Sequence, residues 1–147
     1  MRTLVLRFSS LGDVTLTVPV VRAALEQNKN LEIVFVSRQF FEPLFSGIKN
    51  CSFYPLLTTG QHKGIFGLWK LSRQLKALGP FDFVLDLHSV LRTHILTRFL
   101  ALPGNRIDRI DKGRKQKRLL TARKNKIKTQ LKTTIERYCD VFEARNL

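Results

Sequence analysis

Acidic side chains are scarce in this chain of 147 residues: 11 Asp and Glu stand against 26 Lys and Arg, a net charge of +15. Such an excess excludes an acidic or neutral surface and calls for an anionic partner, whether nucleic acid, a phosphorylated glycolipid or a membrane surface. Cysteine is almost absent. Cys51 and Cys139 lie far apart and in no metal-ligand spacing, which excludes a disulfide framework and suits a reducing compartment. His62, His88 and His94 form no ligand pattern either, so no zinc site is predicted. No stretch approaches the ~18 to 20 apolar residues of a membrane span, and the opening apolar run is too short for a signal peptide. These absences predict a cytoplasmic protein, with peripheral contact at the inner membrane left open. Repeats, low-complexity linkers, a G-x-G-x-x-G fingerprint and a P-loop are also missing.

What is present is a hydrophobic content of 44%, enough for a real core in one domain. The charge is uneven. Residues 106–137 hold 13 basic side chains against Asp108, Asp111 and Glu136, a net of +10, while residues 1–105 net only +6. The densest runs, Asp111–Arg118 and Arg123–Lys126, are too one-sided for alternating salt bridges and read as an anion-binding surface, in a loop or an exposed helix. They lack interleaved aromatics and any RNA-module signature, so nucleic acid is not the expected partner.

Short apolar runs alternate with helical periodicities. Thr3–Phe8 reads as a buried strand running into a tight turn at Ser9-Ser10-Leu11-Gly12. Val14, Val18, Val21 and Leu25 then mark an amphipathic helix to about Gln27. Pro19 either kinks it or sits in the first turn of a second piece capped by Thr17. Leu31–Val36 is the next strand, 38–46 a short helix and Ser52–Pro55 a short strand. Leu68, Leu71, Leu75 and Leu78 mark a helix closed by Gly79-Pro80. Phe81–Leu87 reads as a strand, Val90–Leu102 as a helix, Asn105–Ile110 as a fifth strand and 131–144 as a last helix. The pattern predicts an α/β, Rossmann-like open sheet, mostly parallel, with helices on both faces and ligands beyond the carboxyl ends of the strands.

Two places carry chemistry. Asp13 opens a helix behind Gly12 at the end of a buried strand. It either caps that helix or takes a proton from a hydroxyl at the crevice. Asp86 and His88 end another strand; alternation with Leu85 and Leu87 puts both on one face. The alternative is that Asp86 satisfies loop N–H groups while His88 packs.

Leu4-Val-Leu-Arg-Phe-Ser-Ser-Leu-Gly-Asp13, with Thr17-Val-Pro19 and Val21–Leu25, resembles the opening of the heptosyltransferases of glycosyltransferase family 9. Phe83–His88 with Arg92, Asp111–Arg114 and Glu136-Arg137-Tyr138 are similar to that family's later motifs in the same order. The resemblance runs from residue 2 to about 142. It implies the N-terminal half of a GT-B fold, a single acceptor-side domain over 1–147, with the donor-binding C-terminal domain absent. It further implies transfer of heptose from ADP-heptose to the Kdo-bearing inner core of lipopolysaccharide, with inversion and without metal or other cofactor. Asp13 stands at the position of the general base, with Ser10 and Gly12 beside the donor phosphates. His88, Arg92, Lys112 and Arg114 stand where an anionic Kdo-lipid A acceptor would bind. A half of this kind is expected to be inactive alone, its missing domain supplied by a longer polypeptide or a separate chain. The competing reading is a noncatalytic basic α/β module that binds nucleic acid or anionic membrane. A flavodoxin-like nucleotide-binding regulator is disfavoured by the missing phosphate fingerprint.

Overall fold

The apolar run at the N-terminus lies at the centre of the sheet, which explains why it is apolar on both faces. The computed structural model describes residues 1–103, 106–121 and 130–147. Strand β1 (Arg2–Leu6) pairs in parallel with β2 (Glu32–Arg38) on one side and β4 (Phe83–Asp86) on the other. β3 (Cys51–Leu56) and β5 (Ile107–Arg109) form the edges, giving the order β3-β2-β1-β4-β5, parallel throughout.

One face is covered by α1 (Leu11–Thr15), α2 (Thr17–Gln27), a 3₁₀ segment (Gln39–Phe45) and the last helix, α6 (Thr134–Glu143). Val5, Val14, Val21, Phe35, Phe45 and Phe142 are buried there. The opposite face is covered by α3 (Gly64–Ala77) and α4 (Leu91–Leu100), over Leu4, Val36, Leu71, Leu75 and Leu96. The remaining helix, α5 (Arg114–Leu120), buries none of its residues. The connection leaving β1 crosses one face and the one leaving β4 crosses the other. Their carboxyl ends therefore flank the switch point at which open α/β sheets bind ligands.

Several local expectations are corrected. The helix after β1 is two pieces, but Thr17 does not cap the second: Leu16 is the flanking residue and the Thr17 hydroxyl donates to the Val14 carbonyl at 2.6 Å. Pro19 falls in the first turn of α2, where a missing N–H costs nothing. β3 runs longer than expected, from Cys51 to Leu56, and α4 ends at Leu100 with Ala101 left-handed at φ 53°. Part of the basic run becomes the exposed helix α5; Arg123–Lys126 lies outside the described residues. No helix among the described residues is long and apolar enough to cross a membrane.

Candidate active site

Beyond Leu6 the chain stays buried for two more residues, and the first of them is charged. Arg7 is only 7% exposed. Its backbone N–H donates to the Val36 carbonyl at 3.2 Å and its carbonyl accepts from the Ser37 hydroxyl at 2.5 Å. The guanidinium donates through Nη1 to the Leu87 carbonyl at 2.6 Å, just past β4, and through Nη2 pairs with Asp13 Oδ2. It also lies over the Tyr138 ring of α6, 5.9 Å from the centroid. The Tyr138 hydroxyl donates to the Asp13 carbonyl at 3.3 Å. One buried cation thus ties together β1, the end of β4, α1 and α6.

Asp13 is not the cap of its helix. Ser10 is, and Asp13 stands three residues inside, accepting on Oδ2 from the Ser10 hydroxyl at 3.0 Å and the Ser10 N–H at 3.5 Å. All these contacts fall on Oδ2; among the described residues Oδ1 accepts none. Burial pushes the carboxyl up, but the Ser10 hydroxyl and the Arg7 charge outweigh it and hold the group below its ordinary value of 3.8. Asp13 is therefore ionised at neutral pH, with one oxygen held and one open. Gly12 forms no tight turn, because it lies inside α1. A Cβ there would meet nothing within 4 Å, so the surface beside Asp13 is open.

At the end of β4 the two acidic and imidazole groups have separate tasks. Asp86 is fully buried and turns inward, its Oδ1 accepting the N–H groups of His88 at 3.1 Å and Ser89 at 2.7 Å. Its Oδ2 accepts no hydrogen bond and has Arg109 Nε at 3.8 Å as counter-ion. Asp86 is a loop-shaping carboxylate; it lies level with Leu6 on the α3–α4 side of the sheet, the side on which His88 packs against Phe8, while Leu85 and Leu87 are buried on the other. The His88 ring packs edge-on against Phe8, 5.7 Å between centroids, with Nδ1 buried and unpartnered. Burial, helped by the charges of Arg7, Lys112 and Arg38 and opposed by Asp13, lowers its pKa to about 4. His88 is neutral at physiological pH.

Lys112 completes the cluster. Burial, Arg114 and Arg7 lower its pKa, while Asp86 and Asp13 pull the other way. It is carried by a tight turn in which the Gly113 N–H donates to Asp111 Oδ1 at 2.8 Å and Arg137 Nη1 donates to the Asp111 carbonyl at 2.9 Å. Asp13, Ser10, Gly12, His88 and Lys112 thus gather at the sheet's carboxyl end. Arg114 is exposed at the start of α5 within the field of Lys112, and Arg92 is exposed in the first turn of α4. Arg7 and Arg38 went unnoticed as site residues. For Arg7 a signal existed: a cation inside a buried strand is rarely free of a dedicated partner. No cluster of metal-ligating side chains occurs among the described residues.

No protein-family model matches the chain, and no curated protein matches it in sequence. Solved structures do match. A glycosyl transferase family 9 protein from Veillonella parvula DSM 2008 superposes over 99% of this chain and 41% of its own, at 20% identity and TM-score 0.75. The fold is that of the family 9 glycosyltransferases. E. coli heptosyltransferase WaaC with ADP covers 98% of this chain and 47% of its own at 19% identity and TM-score 0.67. The same enzyme with ADP-2-deoxy-2-fluoro heptose gives 98%, 48%, 20% and 0.66. The chain spans less than half the length of each.

Proposed function

We propose that this chain is the acceptor-side half of a heptosyltransferase-like glycosyltransferase, with Asp13 as the general base. The observation that carries the reading is the state of Asp13. Oδ2 is clamped by Arg7 and Ser10 while Oδ1 accepts no hydrogen bond among the described residues, at the carboxyl end of β1 and in a fold matched by sugar-nucleotide transferases. In the reaction, an acceptor hydroxyl oxygen attacks the anomeric carbon of ADP-heptose as the bond to the diphosphate breaks. The hydroxyl proton passes to Asp13 Oδ1 and ADP departs with the bonding pair. A carboxylate below its ordinary pKa is a weak base, matched to a proton that becomes acidic only as the new C–O bond forms.

The acceptor is an inner-core glycolipid of the Kdo-lipid A type. Lys112, with Arg114, Arg38 and Arg92 around the same end of the sheet, suits its carboxylates and phosphates. Neutral His88 adds a polar ring without further charge. Ser10 and Gly12 border the donor diphosphate. The part of the matched enzymes that this chain does not cover is the source we assign to the remaining donor contacts.

The test uses the polypeptide or pair that carries both halves. Asp13→Asn lowers turnover of ADP-heptose onto a Kdo-bearing lipid A acceptor by about 10²- to 10⁴-fold and leaves acceptor binding nearly unchanged. Unaltered turnover sinks the assignment. Salt-sensitive binding of this chain to random oligonucleotides, without response to the glycolipid, would instead support the noncatalytic basic module.

A further inference from the structure

The α3–α4 face differs in surface chemistry from the face that carries α6. No acidic residue occurs from Leu56 to Phe81 or from 87 to 107, whereas α6 alone carries Glu136, Asp140 and Glu143. The outward side of α3 combines Ile65 at 62% exposure, Phe66 at 88% and Trp69 at 52% with Lys70, Arg73 and Lys76. Ile65, Phe66 and Trp69 line, with Phe99 of α4, an apolar hollow of about 270 Å³. The Arg73 guanidinium lies 5.8 Å from the Trp69 ring centroid, so cation and aromatic form one continuous surface.

This exposure does not come from a frayed helix. A Cβ on Gly67 would lie 2.3 Å from the His62 backbone, so α3 is seated hard on the loop before it. That loop is itself fastened, because the buried His62 ring accepts the Leu57 N–H on Nδ1 at 3.0 Å and meets Gln74 Oε1 at 2.8 Å through Nε2. The sequence holds three large apolar side chains in water on a rigid support, beside cations and no acids.

We propose that the α3–α4 face docks this protein on an anionic phospholipid bilayer. Ile65, Phe66 and Trp69 enter the headgroup region, and Lys70, Arg73 and Lys76 meet the lipid phosphates. An amphipathic helix lying in the interface plane needs both parts: apolar area for insertion and cations for the negative leaflet. Charge complementarity selects this occupant. A second copy would oppose cation to cation, and the apolar hollow offers no polar group to a nucleic acid. The exposed helix α5, in the basic run, carries no aromatic residue and lacks the insertion half. The surface is independent of Asp13, so the docking and catalytic readings fail separately.

Trp69 is the sole tryptophan of the chain and reports its own environment. With vesicles of phosphatidylethanolamine and phosphatidylglycerol, its emission shifts to the blue and becomes shielded from acrylamide. With phosphatidylcholine alone it does neither. Phe66→Gln weakens vesicle binding by about tenfold or more; Lys70→Gln and Arg73→Gln each weaken it by about fivefold at low salt. All three sites are exposed, and unchanged circular dichroism and thermal midpoint confirm intact variants. Unshifted Trp69 emission with the anionic vesicles overturns the proposal. So does a shift produced by random oligonucleotides, or by raising protein concentration without lipid.

Discussion

Arg7 acts on Asp13 and His88 in opposite senses with one guanidinium. Its charge favours the ionised carboxylate of Asp13 and disfavours the protonated imidazole of His88, so it lowers the pKa of both. Removing that charge moves both groups the same way. Arg7→Met is expected to raise the titration midpoints of Asp13 and His88 together. Carbon-detected NMR of the Asp13 carboxyl and proton NMR of the His88 ring follow both in this chain alone. A variant in which only His88 moves would mean that Ser10, through its hydroxyl at 3.0 Å and its N–H, sets the Asp13 carboxylate by itself. Arg7→Lys is no substitute, because an ammonium cannot reach the Leu87 carbonyl and Asp13 in one planar fork.

At the scale of elements, the turn that carries Lys112 depends on a glycine. Gly113 has φ +59°, and a Cβ there would sit 2.3 Å from Arg137 Nη2 and 2.6 Å from its Cζ. Arg137 is buried and fastens α6 to the Asp111 carbonyl and to Gln116 Oε1 at 3.2 Å. Gly113→Ala therefore meets backbone strain and displaces a buried cation from its partners, at a cost of about 1–3 kcal/mol. Urea denaturation of Gly113→Ala, Arg137→Met and the double variant checks the source. The double variant should lose less than the sum of the two singles, because one change removes what the other collides with.

The same turn marks what the sequence could and could not reveal. Strands and long helices were legible because buried parallel strands are apolar throughout and α3 repeats Leu at helical spacing. Asp111–Arg114 was found only as a resemblance. No periodicity in 112–130 announces that Arg137, more than twenty residues away, closes over Gly113. Asp13 was legible by its place after a strand, yet its cap role belonged to Ser10, since local pattern cannot say which polar residue starts a five-residue helix. Alternation placed His88 and Asp86 on one side, but it could not tell that Asp86 would spend Oδ1 on the His88 and Ser89 N–H groups while the His88 ring packs on Phe8.

For the whole molecule, the cluster at the carboxyl end of the sheet makes stability depend on pH in one direction. His88 titrates near 6.5 when unfolded and at about 4 in the fold. Between those values the unfolded chain binds more protons than the native one, so stability falls as pH drops through that window and levels off below it. Asp13 acts further down. Its folded pKa lies below 3.8, so the stability it contributes is present above that value and is lost as pH falls through the folded pKa. Both losses add to the self-repulsion of a chain that already carries +15. Urea midpoints measured from pH 7.5 to 4.5 should therefore decline, and His88→Gln should flatten that decline while leaving the midpoint's further fall below pH 4 in place. Inorganic phosphate bound near Lys112, Arg7 and Arg38 would reduce the positive field on the ring, raise the folded pKa of His88 and narrow its window from below. The shift separates the two origins of the decline: field from the surrounding cations responds to an anion, whereas burial against Phe8 does not. A decline unchanged by His88→Gln would assign it instead to the general positive charge of the chain.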